Sequence, residues 1–303
     1  MTPEETNTSP IYILGDTPTA YLLATKLTLA GENVCLLNEQ GNNKPLAFTV
    51  KDSAAQKTVI PLHIRHIMHH PAKMVLLCLA TDKIKAGLSY FSGAKTLNCP
   101  IISFCRTADT SLINTSINRV IIQAYFDGWL QMATTNALTF LGAPRGITVS
   151  LDEDHPYFDL VQNTLAKTYL KLAFYPDDTE NFWNDFIFFA ANALFSLEHG
   201  ARLRDISKNS TLRQSLNDIA DELLSLVPEK IKIDKEQILN DIYLTPIGYK
   251  MPILDAVHKA KCGELNFIFD TIARQPTYQA SAQPLITKII GRTLKQILSS
   301  VEE

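Results

Sequence analysis

The six residues with the most recognisable chemical spacing in this 303-residue chain are residues 15–20, Gly-Asp-Thr-Pro-Thr-Ala. They follow the apolar run Ile11–Leu14 and precede an apolar-periodic stretch, so they stand where a strand-turn-helix unit can hold a phosphate. In a Gly-x-Gly-x-x-Gly turn, the second glycine lets a pyrophosphate touch the backbone, and N–H groups at the helix start hold the anion. Here Gly15 keeps the tight turn, whereas Thr17 replaces the second glycine and Asp16 adds a negative charge.

Two interpretations of this turn are open. Thr17 followed by Pro18 is also the pattern of a helix N-cap with proline at the first helical position, and such a helix satisfies its own donors without a phosphate. We favour this self-capped, structural turn. The alternative is a working dinucleotide site, whose contacts would come from the turn and from the end of the second strand: Gly15, Asp16, Thr17 and Asn38.

The residue that directly follows the second predicted strand, Val34–Leu37, indicates whether such a cofactor would be NAD or NADP. An acidic side chain there would hold a ribose diol, and an arginine would favour a 2′-phosphate. Asn38 fills the position and brings no charge for NADP, while Glu39 either serves NAD or is an exposed turn carboxylate, which we favour. The cofactor is therefore NADP or NAD, if the chain binds one at all.

The elements around the turn alternate between strands and helices. The stretch Ile11–Asn38 reads as strand, helix (Pro18–Ala30) and strand. Further apolar runs are typical of buried parallel strands, with a helix-like segment after the first and a hairpin punctuated by Gly142, Pro144 and Gly146 after the last. These segments are Lys73–Leu79, Asp82–Phe91, Pro100–Phe104, Asn118–Ala124 and the hairpin strands around Ala137–Leu141 and Ile147–Ser150. Less regular strands are expected around Ala47–Val50 and Val59–Ile64. The pattern predicts a doubly wound parallel sheet.

After about residue 152 the periodicity becomes helical. The predicted helices are Pro156–Lys171, Phe182–Leu197, Ser210–Val227, Asp234–Tyr243, Pro252–Ala260, Glu264–Arg274 and Gln283–Val301. We therefore predict an α/β chain, with an N-terminal Rossmann-like domain over residues 1–150 and an all-helical C-terminal domain over residues 151–303. The helix Phe182–Leu197 is apolar nearly all round, which predicts partial burial by a second copy in a homodimer.

The amino-acid composition indicates which kinds of binding partner the chain does not attract. Hydrophobic residues make up 46% of the chain, charged residues 19%, and the formal net charge is −3. This balance gives no general attraction to nucleic acid or to anionic membrane, and no apolar run approaches the ~20 residues that span a bilayer. The polar, acidic N-terminus is unlike a signal or transit peptide. Five cysteines, an odd number in mostly apolar runs, indicate reduced thiols in a cytoplasmic protein.

A histidine cluster is the remaining chemical feature. His63, His66, His69 and His70 lie close enough in sequence to ligate zinc or nickel. Their spacing suits neither one helix face nor a zinc finger, and no carboxylate or thiol stands beside them. We favour a solvated loop and expect no metal site.

The order and spacing of several residues along most of the chain resemble those of ketopantoate reductases, and we interpret the chain as a distant member of that family. The residues that carry the resemblance are Gly15, Gly31-x-x-Val34, Leu138–Val149, Phe182-Trp183, Asp255 and Gly263-Glu264-Leu265. The resemblance implies an N-terminal Rossmann domain that binds NADPH, a helical C-terminal domain, and reduction of the ketone of a 2-oxo acid between them.

The same resemblance identifies candidate reactive residues. Ketopantoate reductases use a lysine of the buried helix as general acid, and the corresponding position here is Asp185; no lysine occurs between Lys171 and Lys208. An ionised carboxylate would repel the alkoxide that the lysine stabilises. Asn192, aligned with a one-residue gap, and Glu264 are the remaining catalytic candidates, although Glu264 also suits a helix start.

Two cations are candidates for binding an acidic substrate. The family's asparagine-glycine pair after the Pro100–Phe104 strand is Arg106-Thr107 here, and its substrate-binding serine falls near Lys250-Met251. We therefore expect an oxidoreductase-like protein whose activity is impaired or altered, with a fold retained for binding or assembly. The alternative is an active NAD(P)H-dependent reductase of a 2-oxo acid such as ketopantoate.

Overall fold

The computed structural model describes residues 9–37, 45–51, 57–65, 71–88, 99–106, 121–177, 179–200, 206, 208–246, 249–279 and 283–302. The chain forms two compact units, Met1–Asp177 and Asp178–Glu303. The boundary predicted at residue 150 falls inside the first unit, which also includes the helix Phe158–Ala166 and the strand Leu172–Tyr175.

The first unit is built on a mixed sheet. Its strands in the described residues are β1 (Ile11–Leu14), β2 (Val34–Leu37), β3 (Pro45–Lys51), β4 (Lys57–Arg65), β5 (Met74–Leu77), β6 (Ile101–Ser103), β7 (Ile122–Thr134), β8 (Ala137–Ser150) and β9 (Leu172–Tyr175). The spatial order is β3-β4-β2-β1-β5-β6-β7-β8-β9. The run β4-β2-β1-β5-β6-β7 is parallel throughout, which is the strand order of a Rossmann fold. The predicted fold class is confirmed.

The central strands are apolar at every position because both faces of the sheet are covered. All residues of β1, β2, β5 and β6 are buried. Alternate residues of β1 enter different clusters: Ile11 and Ile13 join one, and Tyr12 and Leu14 join the other, as expected for side chains on opposite faces of a strand. Helix α1 (Pro18–Leu29) packs on the first of these faces.

The predicted hairpin is wrong in its position. The segments around Ala137–Leu141 and Ile147–Ser150 belong to one strand, β8, and the chain turns at residues 135 and 136, between β7 and β8. Strands β7 and β8 pair antiparallel along most of their length, with a register shift between Asp127 and Trp129. Beyond this shift, the start of β8 also pairs with β3, so that Thr49 lies opposite Ala137. The sheet thereby closes on itself, a feature that the sequence analysis did not predict.

The other helices in the described residues are α2 (Ile84–Leu88) and α3 (Phe158–Ala166) in the first unit, and α4 (Thr179–His199), α5 (Ser210–Leu224), α6 (Lys235–Tyr243), α7 (Pro252–His258), α8 (Gly263–Ala273) and α9 (Pro284–Glu302) in the second. The six helices of the second unit match the predicted ones to within a few residues. Helix α4 packs against α5, α6, α7 and α9 of the same chain, so its burial does not require a second copy.

The described residues contain neither a bilayer-spanning helix nor a cluster of metal ligands. Within the ranges that the structure describes, no helix is both long and apolar enough to cross a bilayer. In the same ranges, no three histidine, cysteine or acidic side chains come together as metal ligands. His63 lies in β4 opposite Cys35 of β2, while His66, His69 and His70 lie outside the described residues.

A carboxylate from one helix caps another in the second unit. Glu222 of α5 accepts hydrogen bonds from the backbone N–H groups of Leu285 (3.0 Å, to Oε1) and Ile286 (2.8 Å, to Oε2) in the first turn of α9. These N–H groups have no partner within their own helix, and the negative charge is favourable at a helix N-terminus.

We expect Glu222→Ala to lower the free energy of unfolding by about 1.5 kcal/mol, because it leaves two helix donors without an acceptor. Chemical denaturation followed by circular dichroism measures this change. Asp218→Ala is the matched control, because Asp218 lies one turn away on the same helix and accepts only an exposed side-chain hydrogen bond from Gln214. Equal effects of the two substitutions would contradict the capping role.

Candidate functional site

The turn after β1 lies at the carboxyl edge of the sheet, where the chain passes to opposite sides of the first strand. Strand β1 pairs with β2 on one side and with β5 on the other, and ligands of open α/β sheets bind at such a switch point. Gly15 is in the left-handed region (φ +134°), and a Cβ added there would lie 2.0 Å from the Cys78 carbonyl oxygen. Its N–H donates to the Leu37 carbonyl (3.2 Å). The turn therefore packs closely against the ends of β2 and β5.

Thr17 caps the helix that follows, as predicted. Its backbone is extended (φ −76°, ψ 159°), and its Oγ1 accepts a hydrogen bond from the Ala20 N–H (3.3 Å). The same hydroxyl donates to the Cys78 carbonyl (2.9 Å), and Pro18 occupies the first helical position. The threonine thus joins the helix start to the end of β5, in the place where the glycine of a phosphate loop would leave space.

Some of the N–H donors at this helix start are already bonded within the chain. Pro18 has none, the Ala20 N–H donates to Thr17 Oγ1, and the Tyr21 N–H donates to the Thr17 carbonyl (3.2 Å). The N–H groups of Asp16, Thr17 and Thr19 have no acceptor among the described residues. A pyrophosphate uses such groups, so the poor fit to this cofactor rests on the Thr17 side chain, which is bonded to Cys78 and Ala20, and on the negative charge of Asp16.

The turn carries one negative charge, that of Asp16, which forms an ion pair with Lys83. Asp16 is exposed, and its Oδ2 lies 2.5 Å from Nζ of Lys83, at the end of the short 3₁₀ turn Thr81–Lys83 that follows β5. Tyr21, one helical turn beyond Thr17, stacks on Phe48 of β3 (centroids 4.5 Å apart). Burial raises the pKa of the Tyr21 hydroxyl, the charge of Asp16 adds to this, and Lys83 opposes it. The sequence analysis missed Lys83, although a lysine just after a buried strand was a usable signal.

Two thiols lie at the ends of β5 and β6. Cys105 Sγ accepts a hydrogen bond from the Leu79 N–H (3.4 Å), and burial raises the pKa of its thiol to about 11. Burial also holds the pKa of the Cys78 thiol well above its usual range, and Cys105 adds to the effect. The two side chains belong to the clusters on opposite faces of the sheet. Both thiols therefore stay protonated near neutral pH and supply no nucleophile.

One further predicted site residue shares this edge. Arg106 follows Cys105 and is half-buried, and its carbonyl accepts a hydrogen bond from Thr81 Oγ1 (3.0 Å). The structure thus brings Gly15, Asp16, Thr17 and Arg106 to the carboxyl edge of the first unit. Asn38 and Thr107 lie outside the described residues.

The candidate catalytic residues belong to the second unit. Asp185 and Asn192 lie two turns apart on α4, whose 21 residues include no lysine or arginine. Asn192 is fully buried; its Nδ2 donates to the Phe188 carbonyl (2.9 Å), and its Oδ1 has no hydrogen-bond partner in the described structure. Glu264 is half-buried in the first turn of α8, where the helix dipole favours a carboxylate, and Lys250 is exposed just before α7.

Comparison with solved structures identifies the fold. A PanE/ApbA-family ketopantoate reductase from Ralstonia eutropha JMP134 has a TM-score of 0.78 and 12% identity, covering 95% of this chain and 99% of that chain. The 2-dehydropantoate 2-reductase from Geobacter metallireducens GS-15 has a TM-score of 0.77 and 13% identity, covering 96% and 99%. D-mandelate dehydrogenase, in a ternary structure with NADH and anilino(oxo)acetate, has a TM-score of 0.77 and 13% identity, covering 95% and 99%.

These structures confirm the predicted resemblance at the level of the fold: the chain has the two-domain α/β fold of ketopantoate reductases. No protein-family model matches the chain. No curated protein matches it in sequence either.

Proposed function

We propose that the chain is a distant ketopantoate-reductase-like protein, of the NAD(P)-dependent oxidoreductase type, whose reductase chemistry is impaired or altered. The observation that carries this proposal is the composition of helix α4, which has no lysine or arginine in its 21 residues. The resemblance to ketopantoate reductases implies that Asp185 stands at the position of the family's lysine. The fold is then retained for binding or assembly.

The chemistry of ketone reduction explains why this substitution matters. Negative charge develops on the ketone oxygen, and a cation or a proton donor must stabilise it. Asp185 offers neither when ionised. Asn192 directs its N–H₂ group to the Phe188 carbonyl of its own helix, and Glu264 is half-buried at the first turn of α8. Neither residue replaces an ammonium group, although both remain the candidate catalytic residues of the second unit.

Because of the geometry of the turn, we expect a nicotinamide dinucleotide to bind only weakly. NADP or NAD, if either binds, would contact Gly15, Asp16, Thr17 and Asn38 at the carboxyl edge. Thr17 bonds to Ala20 and Cys78 in that space, and Asp16 places a carboxylate beside it. A neighbour of similar fold, D-mandelate dehydrogenase, is known with NADH, so the cofactor class is the one to test.

A second candidate function is an active reductase of another 2-oxo acid. The likeness to D-mandelate dehydrogenase favours it, because that structure holds an anilino(oxo)acetate beside NADH. In this case Arg106 and Lys250 would bind the acid group of the substrate. Because Asp185 stands in place of the family's lysine in this interpretation, another residue of the chain would then have to donate the proton to the ketone oxygen.

The assembly and cellular location of the chain are part of the proposal. We propose a homodimer, since one neighbour of similar fold is a dimeric ketopantoate reductase from Staphylococcus aureus (TM-score 0.73, 11% identity, covering 95% of this chain and 99% of that chain). We propose a cytoplasmic location, supported by five free cysteines, four of which are buried.

A turnover assay tests the proposal. The purified protein is incubated with NADPH or NADH and a panel of 2-oxo acids that includes ketopantoate, and cofactor oxidation is followed by absorbance. We expect no oxidation above the rate without protein for ketopantoate. Turnover of ketopantoate would contradict the proposed loss of the family's chemistry. Turnover of another 2-oxo acid, reduced by Arg106→Ala or Lys250→Ala, would establish the second candidate.

A further inference from the structure

We infer that strand β9 pairs with β9 of a second copy of the chain, antiparallel and across a two-fold axis, so that the two sheets join at this edge. The inference rests on the proposed homodimer and assigns its interface. Strand β9 is the last in the spatial order of the sheet, and among the described residues it pairs with β8 alone. An open edge offers backbone donors and acceptors to a further strand.

The backbone groups that face the open edge are those of Leu172 and Phe174. The Ile147 N–H donates to the Lys171 carbonyl (2.8 Å), and in a parallel ladder alternate residues direct both their backbone groups to the same neighbour. Lys171 and Ala173 therefore face β8, while Leu172 and Phe174 face away from it. In the described part of the chain, the backbone N–H groups of these two residues have no hydrogen-bond partner.

One register of the paired strands uses all of these groups. It places Ala173 opposite Ala173 of the second copy, on the two-fold axis, as a pair without hydrogen bonds, in which the Cα atoms approach to about 4.5 Å and a small side chain fits. Leu172 then lies opposite Phe174 of the second copy, and the two residues exchange both N–H···O bonds. The symmetry-related pair does the same.

The side chains match in this register on both faces of the sheet. Leu172 and Phe174 are partly buried against the core cluster of the first unit, so their pairing continues an apolar face from one copy to the other. On the opposite face, Lys171 lies opposite Tyr175 of the second copy. Lys171 is exposed, and Tyr175 is 48% exposed. A lysine beside an exposed tyrosine ring forms a favourable cation–π contact.

The length of the strand limits the strength of the pairing. Pro176 follows β9 directly, has no N–H group to donate, and ends the ladder. A join of four residues on each copy is a small interface, and small interfaces are weak and reversible. We therefore expect a dissociation constant of about 100 µM for the dimer.

Sedimentation velocity at a series of protein concentrations tests the inference. We expect Tyr175→Lys to weaken dimerisation about tenfold, because each new lysine then lies opposite Lys171 of the other copy. The double variant with Lys171→Glu and Tyr175→Lys places opposite charges in the same pairs and should restore dimerisation. Leu244→Lys is the control, since it replaces another exposed apolar residue (68% exposed) in the second unit. Circular dichroism checks that each variant is folded.

Hydrogen exchange of the wild-type protein gives a second readout that needs no variant. Exchange is followed by mass spectrometry at a protein concentration well below the dissociation constant and at one well above it. We expect the peptide that contains β9 to exchange more slowly at the higher concentration, because the amides of Leu172 and Phe174 become hydrogen-bonded. Exchange of this peptide that does not depend on concentration would overturn the inference.

The outcomes separate the inference from the proposed function. A dimer that Tyr175→Lys leaves within twofold of the wild type, or that the double variant fails to restore, would overturn the inference and leave the proposed homodimer in place. A wild-type protein that stays monomeric up to about 1 mM would overturn both. Assembly beyond a dimer would also overturn the inference, because the two-fold pairing uses the open edge of both copies. The reductase chemistry is tested independently by the turnover assay.

Discussion

Replacing Gly15 by alanine is expected to lower the free energy of unfolding by about 4 kcal/mol, because a methyl group there has no space and the backbone is strained. The added Cβ would lie 2.0 Å from the Cys78 carbonyl oxygen, and φ is +134°. The neighbour is backbone at the end of a buried strand, so relief requires the turn to separate from β5. Thermal and urea denaturation followed by circular dichroism measure the loss.

Two other glycines serve as controls for this prediction. Gly31 has φ +82° but nothing within 4 Å of an added Cβ, so Gly31→Ala should cost only about 1 kcal/mol of backbone strain. Gly291, within helix α9, also has open space around it, and Gly291→Ala should stabilise the protein by up to about 1 kcal/mol. A Gly15→Ala protein as stable as Gly31→Ala would contradict the packing of the turn against β5.

Replacing Glu32 by glutamine is expected to lower the free energy of unfolding by about 3 kcal/mol, because it removes the anion from a buried group of charges. The Glu32 side chain is 6% exposed, and its carboxylate accepts from Nζ of Lys73 (2.9 Å; the lysine is 10% exposed) and from Nζ of Lys167. The group joins the loop before β2, the start of β5 and the end of α3. An uncompensated Lys73 ammonium would remain buried.

The same group gives stability a dependence on pH. Burial raises the pKa of Glu32, but hydrogen bonds and charge from Lys167 and Lys73 outweigh it, so the pKa lies below its ordinary value. A carboxylate with a depressed pKa in the folded state contributes its stability above the ordinary glutamate pKa and loses it as pH falls through the folded pKa. The difference in stability between wild type and Glu32→Gln should therefore shrink on acidification.

Urea denaturation at a series of pH values measures both effects. Asp221→Asn is the matched control, because Asp221 pairs with Lys235 (2.6 Å) while 61% of its side chain is exposed; its cost should stay within about 0.5 kcal/mol. A cost for Glu32→Gln no larger than that of Asp221→Asn, or a cost that grows as pH falls, would contradict the role of this group.

Local pattern explains the part of the fold that the sequence predicts well. The run Ile11–Leu14 is apolar at every position, and Thr17 with Pro18 marks the start of α1, so both elements could be placed to within a residue. The closure of the sheet by β3 and β8 could not be predicted, because the pairing of Thr49 with Ala137 depends on residues far apart in sequence. Strand β9 was also missed: it is only four residues long and begins directly after the predicted helix Pro156–Lys171.

Some features of the candidate site could likewise be predicted from the sequence, and others could not. The identity of Thr17 and the absence of lysine from the 21 residues of α4 are visible in the sequence, and they support the proposed function. The partner of Asp16 is not visible, because Lys83 lies 67 residues away and the two meet only where β1 and β5 pair side by side. The alternation of strands and helices predicts that both residues lie at one edge of the sheet, but it does not predict that they lie within hydrogen-bonding distance of each other.

The central proposal is that the turn after β1, capped by Thr17, binds a dinucleotide only weakly. The most direct measurement is an equilibrium titration of the wild-type protein with NADPH and with NADH, by calorimetry or by the quenching of tryptophan fluorescence. We predict dissociation constants of about 1 mM or weaker for both, with a thermal stabilisation near zero at 0.1 mM ligand. Micromolar binding of either nucleotide, with stabilisation of several degrees, would contradict the account.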